Sequence, residues 1–271
     1  MPLPDFIIIG AAKCGTTAAS HNLSHHPEIV VGADFQDEFH GTEWVRFFMH
    51  DDVYARGLEW YAAQFNPGRS CPRCGRCQPK RIIGDRATRY LRMPKVHTRI
   101  KEAIPNIKLI VLLRNPVTRS YSHWNHFYHT PKSSGANAHR WGHNSFEVTI
   151  GKEPNPEGLV GYEDIVEQGH YAKHLLKLFE TFPREQVYIG ISERVRGNMA
   201  FEYGRMFSFL GADPLAINGQ YYKEDLVASN HWPYPGPMKP ETKLWLMEHY
   251  RSHNEQLFQL LGGEIIEWMV P

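Results

Sequence analysis

The stretch that most constrains the fold is PDFIIIGAAKCGTT, close to the start of the sequence. The apolar run at residues 6–9 predicts a buried strand, and a loop of small, hydroxyl and cationic residues follows it. That loop contains Gly10, Lys13, Cys14, Gly15, Thr16 and Thr17. Glycines let backbone N–H groups converge on an anion, and a helix predicted over roughly residues 17–25 adds the positive end of its dipole. The sequence therefore predicts a phosphate site directly after the first strand.

The P-loop of nucleoside triphosphatases offers the nearest general comparison. It reads GxxxxGK[ST], with a lysine beside the last glycine and a hydroxyl group on magnesium. The same glycine spacing separates Gly10 from Gly15, but Thr16 occupies the lysine position and the lysine lies upstream, at Lys13. The loop suits a phosphate group, whereas these departures argue against ATP hydrolysis. A P-loop kinase that uses ATP and magnesium stays open as an alternative.

A second segment, NIKLIVLLRNPVTRSYSHW, repeats the pattern of a buried strand, a polar turn and a helix. Its strand is predicted at residues 109–113, and its turn and helix carry Arg114 and Ser122. A planar guanidinium can bind two phosphate oxygens at once. Two phosphate-type sites in one chain indicate a doubly phosphorylated nucleotide.

With these blocks in view, the chain resembles the sulfotransferases that use 3′-phosphoadenosine 5′-phosphosulfate (PAPS). The resemblance is strongest to the branch that contains heparan sulfate N- and O-sulfotransferases and their bacterial relatives. It rests on ordered blocks over most of the 271 residues: FIIIGAAKCGTT, TEWVRFF, GDRATRYL, LIVLLRNPVTRSYSHW, GHYAKHL and FPREQVYIGISERV. The resemblance implies PAPS as cosubstrate and a sulfotransferase fold.

The predicted fold class is α/β. Strand-like runs at residues 6–9, 109–113 and 187–191 alternate with helical patterns, which predicts a P-loop-like central parallel β-sheet flanked by helices. We expect a single sulfotransferase domain over residues 1–271. Segment 131–160 is rich in Gly, Pro, Asn and Ser, and we expect a loop or lid insertion there.

The net charge and the hydropathy of the chain limit the kinds of partner that it is expected to bind. The formal net charge is +1, which does not indicate a nucleic acid or an anionic membrane as partner. No apolar run approaches the roughly 18–20 residues of a membrane span, and the first strand begins too soon for a secretory signal. We therefore expect a cytoplasmic enzyme of bacterial or viral type. No feature predicts an oligomeric state.

Three of the four cysteines, Cys71, Cys74 and Cys77, lie in the segment SCPRCGRCQPK. A structural zinc site normally has four ligands, so the fourth would have to be Cys14 or a histidine. A labile disulfide and plain reduced thiols are the other interpretations, and reduced thiols are favoured over zinc. Cys14 is expected to serve as a small residue of the phosphate loop.

The resemblance also implies roles for individual residues. Sulfuryl transfer is an in-line displacement at sulfur, which needs an acceptor base and cations but no metal ion. Lys13 matches the family lysine near the 5′-phosphosulfate. Residues 14–17, which are Cys14, Gly15, Thr16 and Thr17, are expected to donate hydrogen bonds to the 5′-phosphate. Arg114 and Ser122 match the family pair that binds the 3′-phosphate, whereas Arg119 is expected to be solvated.

The general base is predicted at Glu43 in TEWVRFF, with Glu38 and His40 as alternatives. Arg86 in GDRATRYL stands where relatives carry a lysine near the donor sulfate. Arginine is a permanent cation that cannot shuttle a proton, because its pKa exceeds 12. Asp85 is expected to help orient Arg86.

Two further segments are expected to border the site. In GHYAKHL, Gly169 permits a tight entry to a helix and Tyr171 is predicted near the nucleotide, whereas His174 and Lys173 are expected to be structural or solvated. Apolar residues at helical spacing there are predicted core: Leu175, Leu176 and Phe179. A KGR-type loop of the relatives is replaced by ASNHWPYPGPMKP, where the candidate nucleotide ligands are Ser229, Asn230, His231 and Lys239. Trp232 and Tyr234 are candidates for stacking or for packing.

The predicted function is sulfuryl transfer from PAPS to a hydroxyl group, or less favourably an amine, of a carbohydrate or other polar small-molecule or glycan acceptor. No metal is expected in the reaction. The alternatives are the P-loop kinase and a non-catalytic module that binds a nucleotide.

Overall fold

A computed structural model describes residues 2–32, 47–65, 82–129, 144–153, 162–217 and 232–269, with only the backbone given for 162–164. The chain divides into two compact units. The first unit comprises residues 1–113 and 176–229, and the second comprises residues 114–175 and 230–271.

The first unit is built on a five-stranded parallel β-sheet with the order β2-β3-β1-β4-β5. Its strands are β1 (Phe6–Gly10), β2 (Ile29–Val31), β3 (Ile82–Arg86), β4 (Lys108–Leu113) and β5 (Val187–Ile191). The expected central parallel sheet is confirmed. The strand order reverses between β1 and β4, and open α/β sheets bind ligands outside the carboxyl ends of strands at such a point.

Helices flank this sheet, as the α/β prediction requires. In the first unit they are α1 (Thr16–Leu23), α2 (Asp51–Tyr54), α3 (Gly57–Ala62), α4 (Pro94–Ala103), α9 (Ser192–Gly197) and α10 (Met199–Leu210). Every residue of β1 is buried, and so is every residue of β4 except Lys108. Continuous apolar runs of this kind are typical of parallel strands covered on both faces.

The second unit is helical. Its helices are α5 (Pro116–Tyr128), α6 (Phe146–Thr149), α7 (Tyr162–Glu167), α8 (Tyr171–Phe179, which reaches into the first unit) and α11 (Pro240–Leu261). Its apolar core includes Trp124, Phe146, Ile150 and Tyr250. Phe146 and Ile150 come from the segment expected to form a loop or lid, so the described part of that segment, residues 144–153, contributes to a core. The extent of a lid stays a prediction.

One core prediction on α8 is wrong in detail. Leu175 and Leu178 are buried, whereas Leu176 is 51% exposed and Phe179 is half-buried. Residues 175 and 178 lie three apart and share a face of the helix, which residue 176 does not.

Several predictions fall outside the described residues and stay predictions. They concern Glu38, His40, Glu43, Cys71, Cys74, Cys77, Ser229, Asn230 and His231. Within the described ranges, no helix has the combination of length and apolar character that crossing a membrane requires.

The register of the sheet predicts a strict requirement for glycine at position 84. Gly84 of β3 pairs with Phe6 of β1, and a Cβ atom at position 84 would lie 2.2 Å from Phe6 Cζ. We expect Gly84→Ala to lower the free energy of unfolding by about 1–3 kcal/mol, because the sheet must shift to admit a methyl group. Urea denaturation measures the change.

The matched control is Gly197→Ala at the end of α9, where an added Cβ meets no atom within 4 Å. This variant is expected to match the wild type or exceed it slightly in stability. Equal stabilities for the two variants would contradict the packing argument.

Candidate functional site

The loop after β1 is fixed to the sheet at its first residues. The amide of Ala11 donates a hydrogen bond to the carbonyl of Leu112 in β4, at 2.8 Å. A Cβ atom at Gly10 would lie 2.7 Å from Leu91 Cβ, so this close approach requires glycine. The loop therefore starts from a defined position at the carboxyl end of β1.

Two residues of the loop have left-handed backbone conformations. Lys13 has φ 68°, and Gly15 has φ 83° as the N-cap of α1. A lysine in this conformation is uncommon, and such residues concentrate at ligand sites. The first hydrogen bond within α1 runs from Ala19 N to Gly15 O at 2.9 Å, so the N–H groups before Ala19 lie at the positive end of the helix. The loop has the form predicted for an anion site.

The remaining loop side chains divide between core and surface. Cys14 is buried, with Sγ 3.7 Å from the carbonyl oxygen of Ala12, as expected of a small packing residue. Thr16 is buried, whereas Lys13 and Thr17 are half-buried. The binding role of these residues stays a prediction.

Arg86 lies at the loop. It is the last residue of β3, and its guanidinium donates a hydrogen bond to Thr17 Oγ1 at 3.0 Å. Ser192, at the start of α9, also lies close to the loop: its Oγ is 3.4 Å from where a Cβ of Gly15 would stand. The structure thus brings the predicted cation and an additional hydroxyl group to the phosphate loop. The hydroxyl of Ser192 follows the apolar run of β5 directly, which is the sequence signal that could have indicated it.

Asp85, the neighbour of Arg86, is completely buried in β3. Its Oδ2 accepts a hydrogen bond from the Tyr61 hydroxyl at 2.6 Å, and its Oδ1 accepts one from the Arg86 amide at 2.6 Å. Burial raises the pKa of Asp85 to about 6, although both hydrogen bonds lower it. The carboxyl group of Asp85 therefore titrates in the protein interior at a pH well above its usual range.

In the second unit, Arg114 begins the turn before α5. Its Nε donates to Thr118 Oγ1 at 3.0 Å, and its carbonyl accepts a hydrogen bond from the Tyr171 hydroxyl at 2.8 Å. Asn115 caps α5 through a hydrogen bond from Val117 N to its side chain. Tyr171 is buried, so it holds the Arg114 backbone, and its predicted contact with a nucleotide stays a prediction.

The expectation that Arg119 is solvated is wrong. Arg119 is completely buried and donates to the carbonyl of Ile165. It also contacts His123 Nδ1 at 3.3 Å and Gln168 Oε1 at 3.5 Å. Arg119 therefore provides hydrogen bonds to buried polar groups of α5 and of the end of α7. Ser122 lies on α5 and is half-buried.

A cavity of about 600 Å³ lies within the second unit. It is lined by Arg114, Val117, Thr118, Tyr121, Tyr234, Gly236, Pro237, Met238 and Lys243. The rings of Tyr121 and Tyr234 stack with centroids 5.0 Å apart, and the Tyr121 hydroxyl donates to the carbonyl of Gly236 at 2.6 Å. The cavity combines an aromatic wall with two cations, Arg114 and Lys243.

Other candidates in the second unit contact neighbouring side chains, and the predicted binding roles of Lys239 and Trp232 stay predictions. Lys239 forms ion pairs with Glu153, at 2.8 Å, and with Glu147, at 3.6 Å. Trp232 stacks on His129 with ring centroids 5.4 Å apart. Lys173 forms an ion pair with an acidic side chain, and His174 is buried at a backbone carbonyl, which confirms the structural interpretation of both.

Many classes of phosphate-binding protein have a strand, a glycine-containing loop and a helix at the carboxyl edge of a parallel sheet. Comparison with known proteins decides to which of these classes the chain belongs. The family model of the sulfotransferase domain matches residues 3–232. The chain belongs to the sulfotransferase family. This finding confirms the resemblance and favours it over the P-loop kinase.

Curated relatives and a solved structure agree with this assignment. The bifunctional heparan sulfate N-deacetylase/N-sulfotransferase of Drosophila melanogaster is 27% identical over 282 residues, which cover 96% of this chain and 26% of the relative. The heparan sulfate glucosamine 3-O-sulfotransferase 5 of Mus musculus is 27% identical over 276 residues, covering 96% and 72%. The chain thus spans about a quarter to a third of the length of the bifunctional relatives. The crystal structure of a sulfotransferase from Alicyclobacillus acidocaldarius has a TM-score of 0.70 at 22% identity, covers 100% of both chains and supports the fold.

The buried Asp85 predicts a specific pH dependence of stability. Its pKa is about 6 in the folded protein and about 4 in an unfolded chain, so the folded state binds more protons between these values. The stability from this group is present below pH 4 and is lost as the pH rises through 6. Relative to Asp85→Asn, we expect the wild type to lose on the order of 2 kcal/mol of unfolding free energy between pH 4 and pH 6.5.

Urea denaturation of both proteins at these two pH values measures the difference. Tyr61→Phe serves as the control, because it removes one hydrogen bond to the carboxylate and keeps the titrating group. Parallel pH profiles for the wild type and Asp85→Asn would show that Asp85 does not titrate in this range.

Proposed function

We propose that this protein transfers the sulfuryl group of PAPS to a hydroxyl group of a carbohydrate acceptor by in-line displacement at sulfur. The acceptor oxygen forms a bond to sulfur, the bond between sulfur and the 5′-phosphate oxygen breaks, and the acceptor proton passes to a base. The observation that carries the proposal is the loop after β1, with Lys13 beside the N-terminus of α1 and Arg86 bound to Thr17. Membership of the sulfotransferase family supports it.

The loop supplies what the leaving group needs. As the displacement proceeds, negative charge grows on the 5′-phosphate oxygen, and preorganised donors and cations stabilise that charge. We assign Lys13 to this oxygen, and the N–H groups of residues 15–17 and the hydroxyls of Thr16 and Thr17 to the 5′-phosphate; the amide of Cys14 donates to the carbonyl of Ala11 within the loop. A hydroxyl can accept and donate at once, so Thr17 can bind Arg86 and the phosphate together.

Arg86 is proposed to stabilise the sulfuryl oxygens as a permanent cation. Its hydrogen bond to Thr17 ties its guanidinium to the loop, and its position at the end of β3 limits its movement. A lysine at this position could also exchange a proton, whereas arginine keeps its charge throughout the reaction. The proton of the acceptor must therefore leave by another group.

Glu43 is our proposed base, with Glu38 and His40 as alternatives; all three lie outside the described residues. A carboxylate serves as general base when its pKa approaches the working pH. Asp85, although its pKa is raised, is completely buried and accepts two hydrogen bonds, which suits a positioning residue for Arg86.

For the other end of the nucleotide we propose Arg114 and Ser122 as ligands of the 3′-phosphate. The hydroxyl of Tyr171 holds the Arg114 backbone, so the arginine starts from a fixed point. Arg114 also lines the cavity of the second unit, whose wall includes the stacked rings of Tyr121 and Tyr234. Lys243 also lines this cavity and adds a second cation for phosphate.

The carbohydrate acceptor is proposed from the relatives, which are named for action on heparan sulfate. A hydroxyl acceptor corresponds to the 3-O-sulfotransferase relative, and an amine acceptor corresponds to the N-sulfotransferase relatives. We favour a hydroxyl group and keep the amine as the second candidate. A cytoplasmic location stays a prediction from the sequence.

Binding of 3′-phosphoadenosine 5′-phosphate (PAP), the nucleotide product, tests the donor site. We expect calorimetric titration to show binding by the wild type, and binding weaker by roughly 10- to 100-fold in Lys13→Ala and in Arg114→Ala, because each variant loses hydrogen bonds to a charged group. ATP with magnesium is expected to bind more weakly than PAP to the wild type.

Each control variant removes one positive charge from an exposed ion pair outside the proposed nucleotide site. Lys177→Ala, which separates Lys177 from Glu180, matches the lysine variant, and Arg251→Ala, which separates Arg251 from Glu248, matches the arginine variant. Both are expected to bind PAP as the wild type does. Absence of PAP binding by the wild type, or a preference for ATP with magnesium, would overturn the proposed cosubstrate.

The acceptor is tested with two forms of one glycan. A heparan-type polysaccharide with acetylated amino groups offers hydroxyls only, and its de-acetylated form also offers free amines. We expect transfer of labelled sulfate from PAPS to both forms, because the proposed reaction takes a hydroxyl group. Transfer to the de-acetylated form alone would identify the amine as acceptor.

The Lys13→Ala variant tests whether the observed sulfuryl transfer takes place at this site. We expect its transfer rate to be at least 100-fold below that of the wild type. PAP binding without transfer to either glycan or to small hydroxyl acceptors would favour a non-catalytic nucleotide-binding module.

A further inference from the structure

Three histidines of the second unit face one another. His249 and His253 lie on α11, and His170 lies in the turn between α7 and α8. Each offers one ligand nitrogen, and these nitrogens all lie within 4.8 Å of one another. His170 Nε2 is 3.0 Å from His249 Nε2, and the rings of His170 and His253 stack with centroids 3.7 Å apart.

The spacing of the two helical histidines is one that metal sites use. Residues four apart share a face of an α-helix, so His249 and His253 project from α11 in the same direction. A pair of histidines at this spacing supplies two ligands in helical zinc motifs. The third, His170, is 79 residues away in sequence from His249, and the fold brings it to the pair.

Contacts that do not involve the imidazoles fix the turn that carries His170. A Cβ atom at Gly169 would lie 2.7 Å from Tyr250 Cε1, so glycine lets the turn pass directly over Tyr250. The Tyr250 hydroxyl donates to the carbonyl of Val166 at 2.9 Å, and His170 N donates to the carbonyl of Glu167 at 2.9 Å. The backbone of His170 is therefore held against α11.

We propose that His170, His249 and His253 form a binding site for a divalent transition-metal ion, for which Zn²⁺ is the best fit. Imidazole nitrogens suit zinc, nickel and copper, and three of them leave a fourth tetrahedral position for water. Zinc bonds of 2.0–2.1 Å place tetrahedral nitrogens about 3.3 Å apart. The observed nitrogen spacing, from 3.0 Å to within 4.8 Å, is close to that value, and the stacked rings of His170 and His253 must turn so that their nitrogens point at one ion.

A bound ion would join α11 to the turn before α8. Tyr171, the next residue after His170, donates its hydroxyl proton to the carbonyl of Arg114. The ion would thus stabilise the turn that positions the Arg114 backbone. This is a structural role that the sulfuryl-transfer proposal does not require.

Zinc binding to the full chain after dialysis against a chelator tests the site. The cysteines at 71, 74 and 77 are a second possible zinc ligand set, so the titration uses the variant in which all three are replaced by serine. We expect calorimetry to show one equivalent of Zn²⁺ bound per chain, with an affinity about 100-fold lower in His249→Gln. His50→Gln, at an exposed histidine before α2, is the matched control and is expected to bind as its parent does.

A second readout covers the case in which a histidine variant folds poorly. Zn²⁺ is expected to raise the melting temperature of the parent and of His50→Gln by several degrees, and to leave that of His170→Gln unchanged. The imidazole proton and nitrogen resonances of the three histidines should shift on zinc addition. The proposal is overturned if the cysteine-free parent binds no zinc, or if His249→Gln binds it as tightly as His50→Gln.

Discussion

The burial of β1 between two neighbouring strands is the constraint on which the phosphate loop depends. All five residues of β1 are buried, and the strand pairs with β3 on one side and β4 on the other. This pairing fixes the point at which the loop leaves the sheet, and the hydrogen bond from Ala11 N to the carbonyl of Leu112 extends it by one residue. The same pairing places Arg86 beside Ile8 in register, which is why its guanidinium reaches Thr17. A parallel sheet thus brings a cation and a hydroxyl group together from segments distant in sequence.

The alternation of side chains along β3 explains the contrast between Asp85 and Arg86. Successive residues of a strand point to opposite faces, so one of the pair enters the core and the other reaches the loop. The carboxylate of Asp85 is buried and accepts a hydrogen bond from the hydroxyl of Tyr61, and burial raises its pKa. At neutral pH this carboxylate is ionised, and Arg86 is the next residue of the strand. An arginine tolerates such a neighbour without exchanging a proton with it, because a guanidinium group stays protonated in proteins. The substitution of the family lysine by arginine is consistent with a purely electrostatic role.

The local sequence pattern was enough to predict the long apolar strands. It could not predict the environment of residues whose hydrogen-bond partners are far away in sequence. Strands β1, β4 and β5 were predicted to within one residue, because continuous apolar runs mark buried parallel strands. Strand β2 has three residues, and β3 contains Gly84 and Asp85, so neither gives such a run. The burial of Arg119 depends on the carbonyl of Ile165, 46 residues away, and a charged residue on a helix ordinarily indicates a surface. The strand, loop and helix of residues 6–23 could be predicted because their pattern is contiguous in sequence, and phosphate binding by the loop stays a prediction.

The histidines show the same limit of prediction from sequence, because the role of each one depends on the groups that the fold brings to it. The sequence contains 16 of them, and their number indicates no site. His97 bonds to the carbonyl of Tyr90 at 2.9 Å, and His26 bonds to that of Asp213 at 2.9 Å, as expected of imidazoles that satisfy backbone groups. His170, by contrast, faces two other imidazoles. Its Nε2 lies 3.0 Å from that of His249, and the ligand nitrogens of all three residues lie within 4.8 Å of one another. Only the folded chain brings these nitrogens together, and their proximity distinguishes the proposed metal site from the histidines that bond to backbone groups.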